Sequence, residues 1–210
     1  HISNRLEILL RNGLQGLDLV LILLFVFLSA RTAFWVAAGI PAALFAAIGI
    51  MFISGLTINM ISLFALIICL GIVVDDAIVV GEHADFRLRR LGENPEEAAE
   101  RGATRMALPV FTATITTVIA FAGLVVVGGR FGSLIADIPF TVIAVLIASL
   151  LECFLVLPNH MAHALRQKVL KKKWYDWPSD KFNMVFRIFR ESLFRPFTKY
   201  VMKFRYPVLS

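Results

Sequence analysis

Long apolar runs alternate with short polar breaks along this 210-residue chain. A membrane-spanning helix needs about 20 mostly apolar residues. Five segments suit that length: Leu14 to Ala30, Thr32 to Gly55, Met60 to Val80, Met106 to Val127, and Ile138 to Leu157. The pattern predicts an all-α membrane protein, a bundle of about five transmembrane helices followed by a cytoplasmic interfacial helix. Residues 1–13 are a polar lead-in on the outer side. Residues 14–157 are the bundle, with a cytoplasmic loop at 82–105. Residues 158–206 are a basic amphipathic cytoplasmic segment, and residues 207–210 begin a further helix that is cut short.

The breaks differ in character. Arg31 marks a tight turn between the first two helices, and Ser54-Gly55-Leu56-Thr57-Ile58-Asn59 is an uncharged turn. The charged loop carries Gly92, Asn94 and Pro95 as breakers. Its Asn94-Pro95-Glu96-Glu97 reads as a helix start, with Asn as the cap, Pro in the first helical position and acids in the first turn. Gly128-Gly129-Arg130-Phe131-Gly132 is a flexible turn on the opposite side.

Composition sharpens this reading. Residues of the AVILMFWYC set make up 59% of the chain, charged residues only 17%, and mean hydropathy is +0.79. Those values exclude a disordered chain, a disulfide-built domain and a typical cytosolic enzyme. The net charge of +6 does not point to nucleic acid, because the bases flank the apolar runs as membrane flanks do. With the N-terminus outside, 18 of the 21 Lys and Arg residues fall on one side, which the positive-inside rule makes cytoplasmic. Between Lys168 and Arg205, Trp174, Tyr175, Trp177, Phe182, Phe186, Phe189 and Phe194 alternate with bases, the composition of a helix lying along the inner membrane face. Cys69 and Cys153 sit within apolar runs as small hydrophobes rather than as a redox pair.

Chemistry concentrates in the acids. Asp75 and Asp76 lie about two-thirds of the way along an otherwise apolar helix. A charge at mid-bilayer costs at least roughly 2.5–3.5 kcal/mol on insertion scales. Two adjacent carboxylates also repel each other, so the pair must hold protons or find a basic partner. No Lys or Arg lies in the interior of the five helices, so a partner would come from outside this chain. Either state is primed to change protonation. The competing reading is a structural polar pair facing a water-filled cavity. Gly71, one turn before Asp75, shares its face, while Ser62, Ala65, Cys69 and Asp76 form a second small or polar stripe. Thr116 and Thr117, with Ala120 and Gly123, could approach the acids and offer hydroxyls, or could bond their own helix. Glu152, near the cytoplasmic end of its helix and within reach of the interface, suits a structural or hydrogen-bonding role better than a proton-carrying one. Asp18 and Asp137 sit at the outer boundary. Glu82, His83 and Asp85 read as a solvated face rather than a metal site, and neither cofactor nor enzyme chemistry has a motif here.

Gly71-Ile72-Val73-Val74-Asp75-Asp76-Ala77-Ile78-Val79-Val80-Gly81-Glu82 resembles the fourth-helix motif of the resistance-nodulation-division (RND) superfamily, most of all its AcrB-like hydrophobe/amphiphile efflux branch. Ala33-Phe34-Trp35-Val36 through Gly39-Ile40-Pro41 is similar to the start of that family's third helix. Gly55-Leu56-Thr57-Ile58-Asn59-Met60 resembles the turn into the fourth, Thr114-Ile115-Thr116-Thr117 the fifth, and Leu157-Pro158-Asn159-His160 the end of the sixth. The resemblance implies a bacterial inner-membrane permease of twelve helices, a homotrimer when full length, that exchanges protons for a hydrophobic or amphiphilic export substrate. It also implies a periplasmic adaptor and an outer-membrane channel as partners. Asp75 and Asp76 would be the proton relay, paired with a Lys in a second half that this chain lacks, with Gly71, Thr116, Thr117 and Glu152 as supporting candidates. His83 departs from the family's frequent Asn. A heavy-metal, lipid or protein exporter of the same superfamily would share the relay, and a non-transporting membrane scaffold is the alternative of another class.

The orientation is directly testable. Of single cysteines placed at positions 31, 59, 90 and 130, a membrane-impermeant thiol reagent added to intact cells should label those at 59 and 130 only; labelling at 90 would reverse the assignment.

Overall fold

A computed structural model of the chain describes residues 2–126, 132, 135–170 and 177–203, and among them there is helix and turn but no strand. The helices are α1 (Ile2–Phe27), α2 (Ala30–Ile53), α3 (Met60–Phe86), α4 (Pro95–Val125), α5 (Asp137–Leu151), α6 (Leu157–Leu170), α7 (Trp177–Phe189) and α8 (Arg195–Lys203). Three five-residue π-turns, Arg87–Leu91, Glu152–Val156 and Arg190–Phe194, follow α3, α5 and α7. Five helical stretches are long and apolar enough to cross a membrane: Glu7–Phe27, Ala30–Ile53, Met60–Leu91, Pro95–Val125 and Asp137–Arg166.

Apolar side chains cover the outside as well as the inside. Phe45, Phe52, Ile53, Leu108, Ile119 and Leu155 are all exposed, as suits helices solvated by lipid. Lipid supplies no hydrophobic drive between helices, so close contact must come from shape, and small residues provide it. Ala43 and Ala47 of α2, Ala65 and Cys69 of α3, and Ala144 and Ala148 of α5 share one buried cluster. A second cluster joins Ala33, Val36 and Ile40 to Ala77, Val80 and Ala84, and to Ala98, Ala99 and Ala103 of α4. Three glycines mark close crossings. A Cβ on Gly81 would lie 3.3 Å from Val36 Cγ2 of α2, and one on Gly102 of α4 would lie 2.9 Å from the Ala84 Cα of α3. Gly39 of α2 abuts the side chain of Glu152. The run from α5 into α6 is the most enclosed, whereas α1 buries little beyond Leu24.

Several helix limits differ from those read off the apolar runs. α1 begins at Ile2, because the leucines and isoleucines of the lead-in continue a helical sequence without a breaker. Arg31 lies in the first turn of α2, and the connection is Leu28-Ser29 instead; buried Ser29 and Thr32 share a 2.9 Å hydroxyl hydrogen bond there. The charged segment 82–105 is mostly helix. α3 continues through its π-turn to Leu91, and α4 starts at Pro95, so only Gly92 to Asn94 connects them. Asn94 caps α4 by position without a side-chain hydrogen bond, and Pro95, Glu96 and Glu97 take the predicted places. The bend is held by Glu93. Arg87 donates to it from Nε at 2.8 Å and from Nη2 at 2.5 Å, and Arg101 from Nη1 at 3.1 Å.

The turn at Ser54 to Asn59 has its expected place. Gly55 has φ of 72°, Leu56 N–H donates to Met51 C=O and Gly55 N–H to Phe52 C=O, a Schellman closure that the positive φ makes a glycine position. Asn59 then caps α3 by accepting from the N–H groups of Ile61 and Ser62, while Ser62 Oγ accepts from Asn59 N–H. Asn59 also donates to Asp137 at the start of α5, so Asp137 ties two helix entrances together. The basic segment is helical as α7 and α8, and Phe182 packs edge-on against Phe27 of α1 with centroids 4.7 Å apart. Trp174, Tyr175, Arg130 and residues 207–210 lie outside the described residues.

Two outcomes follow from the α3–α4 region. Gly102→Val should lower the stability of the protein in detergent by about 1–3 kcal/mol, read from thermal unfolding, since the added carbons meet the Ala84 backbone rather than a movable side chain. The Arg87 and Arg101 guanidiniums hold the Glu93 carboxyl below its ordinary value of 4.5. The tether is therefore complete above pH 4.5 and is lost as pH falls through the lowered value of the folded protein. Amide exchange at Gly92 to Asn94, corrected for its intrinsic pH dependence, should rise only under those acid conditions.

Candidate functional site

The sequence of α3 runs apolar from Met60 to Val74 and then places two carboxylates side by side. Neighbouring residues on a helix project about 100° apart, so the two acids face different surroundings. Asp76 is part-buried and turns toward α5, where the Ser149 hydroxyl donates to its Oδ2 at 3.5 Å. Asp75 is exposed. Gly71, one turn earlier, is exposed too, and a Cβ there would meet no neighbour within 4 Å. The second stripe proposed from sequence is present: Ser62, Ala65 and Cys69 are buried on the side that leads to Asp76.

Glu152 lies among the helices of the bundle, 4% exposed, at the first position of the π-turn that follows α5. Gly39 of α2 makes room for it, since a Cβ at that position would overlap the carboxyl group. Its Oε1 has no hydrogen-bond partner. The position is reached because the π-turn continues the helix into α6, so the end of the apolar run is not the end of the packed helix.

The threonines of α4 use their hydroxyls locally. Thr112, Thr114, Thr116 and Thr117 each donate to the carbonyl four residues earlier, at 2.7 to 3.0 Å. Thr116 is exposed and Thr117 half-buried, so within this chain neither hydroxyl is brought to the acids. On the far end of α3, Asp85 pairs with Arg89 at 2.8 Å and His83 stacks near Phe86.

Sequence reading missed two residues of this region, Ser149 and Gly39. A signal for the first existed: Ser149, Glu152 and Cys153 fall at i, i+3 and i+4, a polar and small stripe on one face of an apolar helix. For Gly39 there was none, since a glycine in an apolar helix does not announce which side chain it admits.

The sequence model of the AcrB/AcrD/AcrF family matches residues 2–210. The chain is 34% identical over 157 residues to multidrug resistance protein MdtC of Yersinia pestis bv. Antiqua (strain Angola), covering 74% of this chain and 15% of that protein. It is 32% identical over 154 residues to MdtC of Photorhabdus laumondii, covering 73% and 15%. It is 31% identical over 173 residues to swarming motility protein SwrC of Bacillus subtilis (strain 168), covering 80% and 16%. The chain thus spans about 15% of the length of these curated relatives.

Proposed function

The chain belongs to the AcrB/AcrD/AcrF family of RND efflux permeases, a multi-pass membrane protein, and from that premise we propose that it is the proton-coupling part of a multidrug efflux permease. Asp75 and Asp76 bind a proton from the periplasmic side and release it to the cytoplasm. The single observation that carries this reading is the acid pair itself, set in an apolar helix with one carboxylate directed at Ser149 and the other on an uncovered face beside Gly71.

The mechanism follows from charge. An ionised pair attracts a basic group across the open face, supplied by permease helices beyond this chain. Protonation removes that attraction, and the helices on either side of the face shift relative to each other. The shift drives export of a hydrophobic or amphiphilic substrate bound elsewhere in the homotrimeric permease, which works with a periplasmic adaptor and an outer-membrane channel. One charge crossing 100 mV yields about 2.3 kcal/mol, enough for a modest uphill step. In this reading the protein lies in the bacterial inner membrane. Residues 1–13 are at the periplasmic side, residues 14–157 form the bundle, and residues 158–206 lie along the cytoplasmic face, where the exposed Phe186, Phe189, Phe197 and Tyr200 of α7 and α8 would contact lipid. Gly71 keeps the open face narrow enough for close approach. Thr116 and Thr117 are left a lesser part, since their hydroxyls are engaged within α4.

Asp75→Asn and Asp76→Asn in the full-length permease should each abolish export. Asn keeps the shape and much of the hydrogen bonding but cannot ionise, so it fixes the site in its neutral state. A transporter fixed in one protonation state loses the differential energy that moves it between conformations. The measurement is drug susceptibility of cells lacking their own pumps, with membrane abundance and trimer assembly as controls. Protection by both Asn variants equal to the parent's would refute the relay.

A further inference from the structure

We propose that Glu152 is a second proton-binding site of the bundle, seated against Gly39 and coupled in its occupancy to Asp76 through the shared face of α5. Its role in transport rests on the proton-coupling reading above, while its existence as a proton site does not.

Three independent features converge on this residue. It is 4% exposed, the most enclosed acid among the described residues. Its Oε1 lacks any hydrogen-bond partner, an arrangement that a neutral carboxylic acid tolerates far better than a carboxylate does. The neighbouring helix carries a glycine where any other residue would collide with the carboxyl group. A leucine or glutamine pointing into lipid would need no such accommodation. The backbone also changes there: the hydrogen-bond ladder widens to i→i+5, with Leu157 N–H donating to Glu152 C=O, and such π-turns often sit at functional positions.

Among the described residues no cation pairs with Glu152. On α2 the sequence has Arg31 in the first turn and no ionisable group after it. On α4 there is none after Arg105. α6 contributes His160, whose ring stacks on Trp35 of α2 at 4.4 Å rather than on the acid, followed by His163 and Arg166. α3 contributes Asp75 and Asp76, with Glu82, His83 and Asp85 further along. Cys153 is adjacent on the same turn. Asp76 is linked to the helix of Glu152 through Ser149, which touches Asp76 and lies at i−3 from Glu152. Two carboxylates in one apolar region do not readily ionise together. Loss of the proton from Asp76 thus strengthens its retention on Glu152, and the reverse holds equally. Glu152 is enclosed by helices of this chain alone, so this site differs from the Asp75 face, which is open.

The test is infrared difference spectroscopy of the full-length permease in membranes, paired with the pH profile of its export. The parent should show the carbonyl stretch of a protonated carboxylic acid at neutral pH that Glu152→Gln removes. Glu152→Asp, which keeps an acid, should retain a shifted band, and so should the Asp75→Asn/Asp76→Asn double variant. Glu152→Gln should reach the membrane at the parent's abundance and export with a displaced pH profile. A carbonyl band unchanged by Glu152→Gln would overturn the proposal and leave Glu152 a packing residue, and an export profile that overlays the parent's would overturn its coupling to Asp76. If the single Asn variants of Asp75 and Asp76 still export while Glu152→Gln removes the band, the relay assignment fails and the Glu152 proton site stands.

Discussion

Helices in lipid gain nothing from hiding apolar surface from one another, because the solvent they leave is as apolar as the neighbour they meet. What holds α2, α3, α4 and α5 together is backbone proximity through small residues. Gly81 against Val36, Gly102 against Ala84, and the alanine cluster of Ala43, Ala47, Ala65, Ala144 and Ala148 are points of such proximity. The rest of the structure depends on it. The close approach of α3 and α5 lets the Ser149 hydroxyl reach Asp76, and Gly39 of α2 leaves the space that the Glu152 carboxyl occupies.

That geometry gives the acids three unlike environments. Asp76 has a hydroxyl partner inside the chain, Glu152 is enclosed and unpartnered at one oxygen, and Asp75 faces outward. Polar groups in hydrocarbon must find a partner or lose their charge. Asp75 is the more exposed of the adjacent pair, and Gly71 one turn away adds no side chain to that face. The same face would be an ordinary lipid-facing surface if it carried leucine.

Much of the bundle was legible in the sequence, because a run of about 20 apolar residues has few other fates. All five spanning segments are helices of spanning length, and the Ser54 to Asn59 turn has its place. The helix ends were not legible, since hydropathy reports where lipid stops and not where the backbone ladder stops. Charged residues such as Arg87, Glu97 and Arg101 therefore extend α3, its π-turn and α4 beyond the apolar runs. Of the site, Asp75 and Asp76 stood out because intramembrane acids are costly, whereas Gly39 did not, because its significance lies wholly in the Glu152 side chain that another helix brings to it. The burial of Glu152 was not legible for the related reason that the apolar run ends near it while the buried helix runs on to Leu165.

The density of the internal contacts also constrains how the proposed transporter can move. Interiors built on glycine and alanine contacts do not deform continuously, because a helix that slides by a fraction of a turn meets the next side chain instead of the next small residue. The face of Asp75 and Gly71 has no such small-residue lock among the described residues, and in the proposed transporter it is the surface free to move. A charge change on Asp75 acts on that face directly. A change on Asp76 acts through Ser149 on the most enclosed helix of the bundle. Two adjacent acids about 100° apart on one helix can thus connect the rigid interior to the movable boundary, which a single carboxylate on either face could not do.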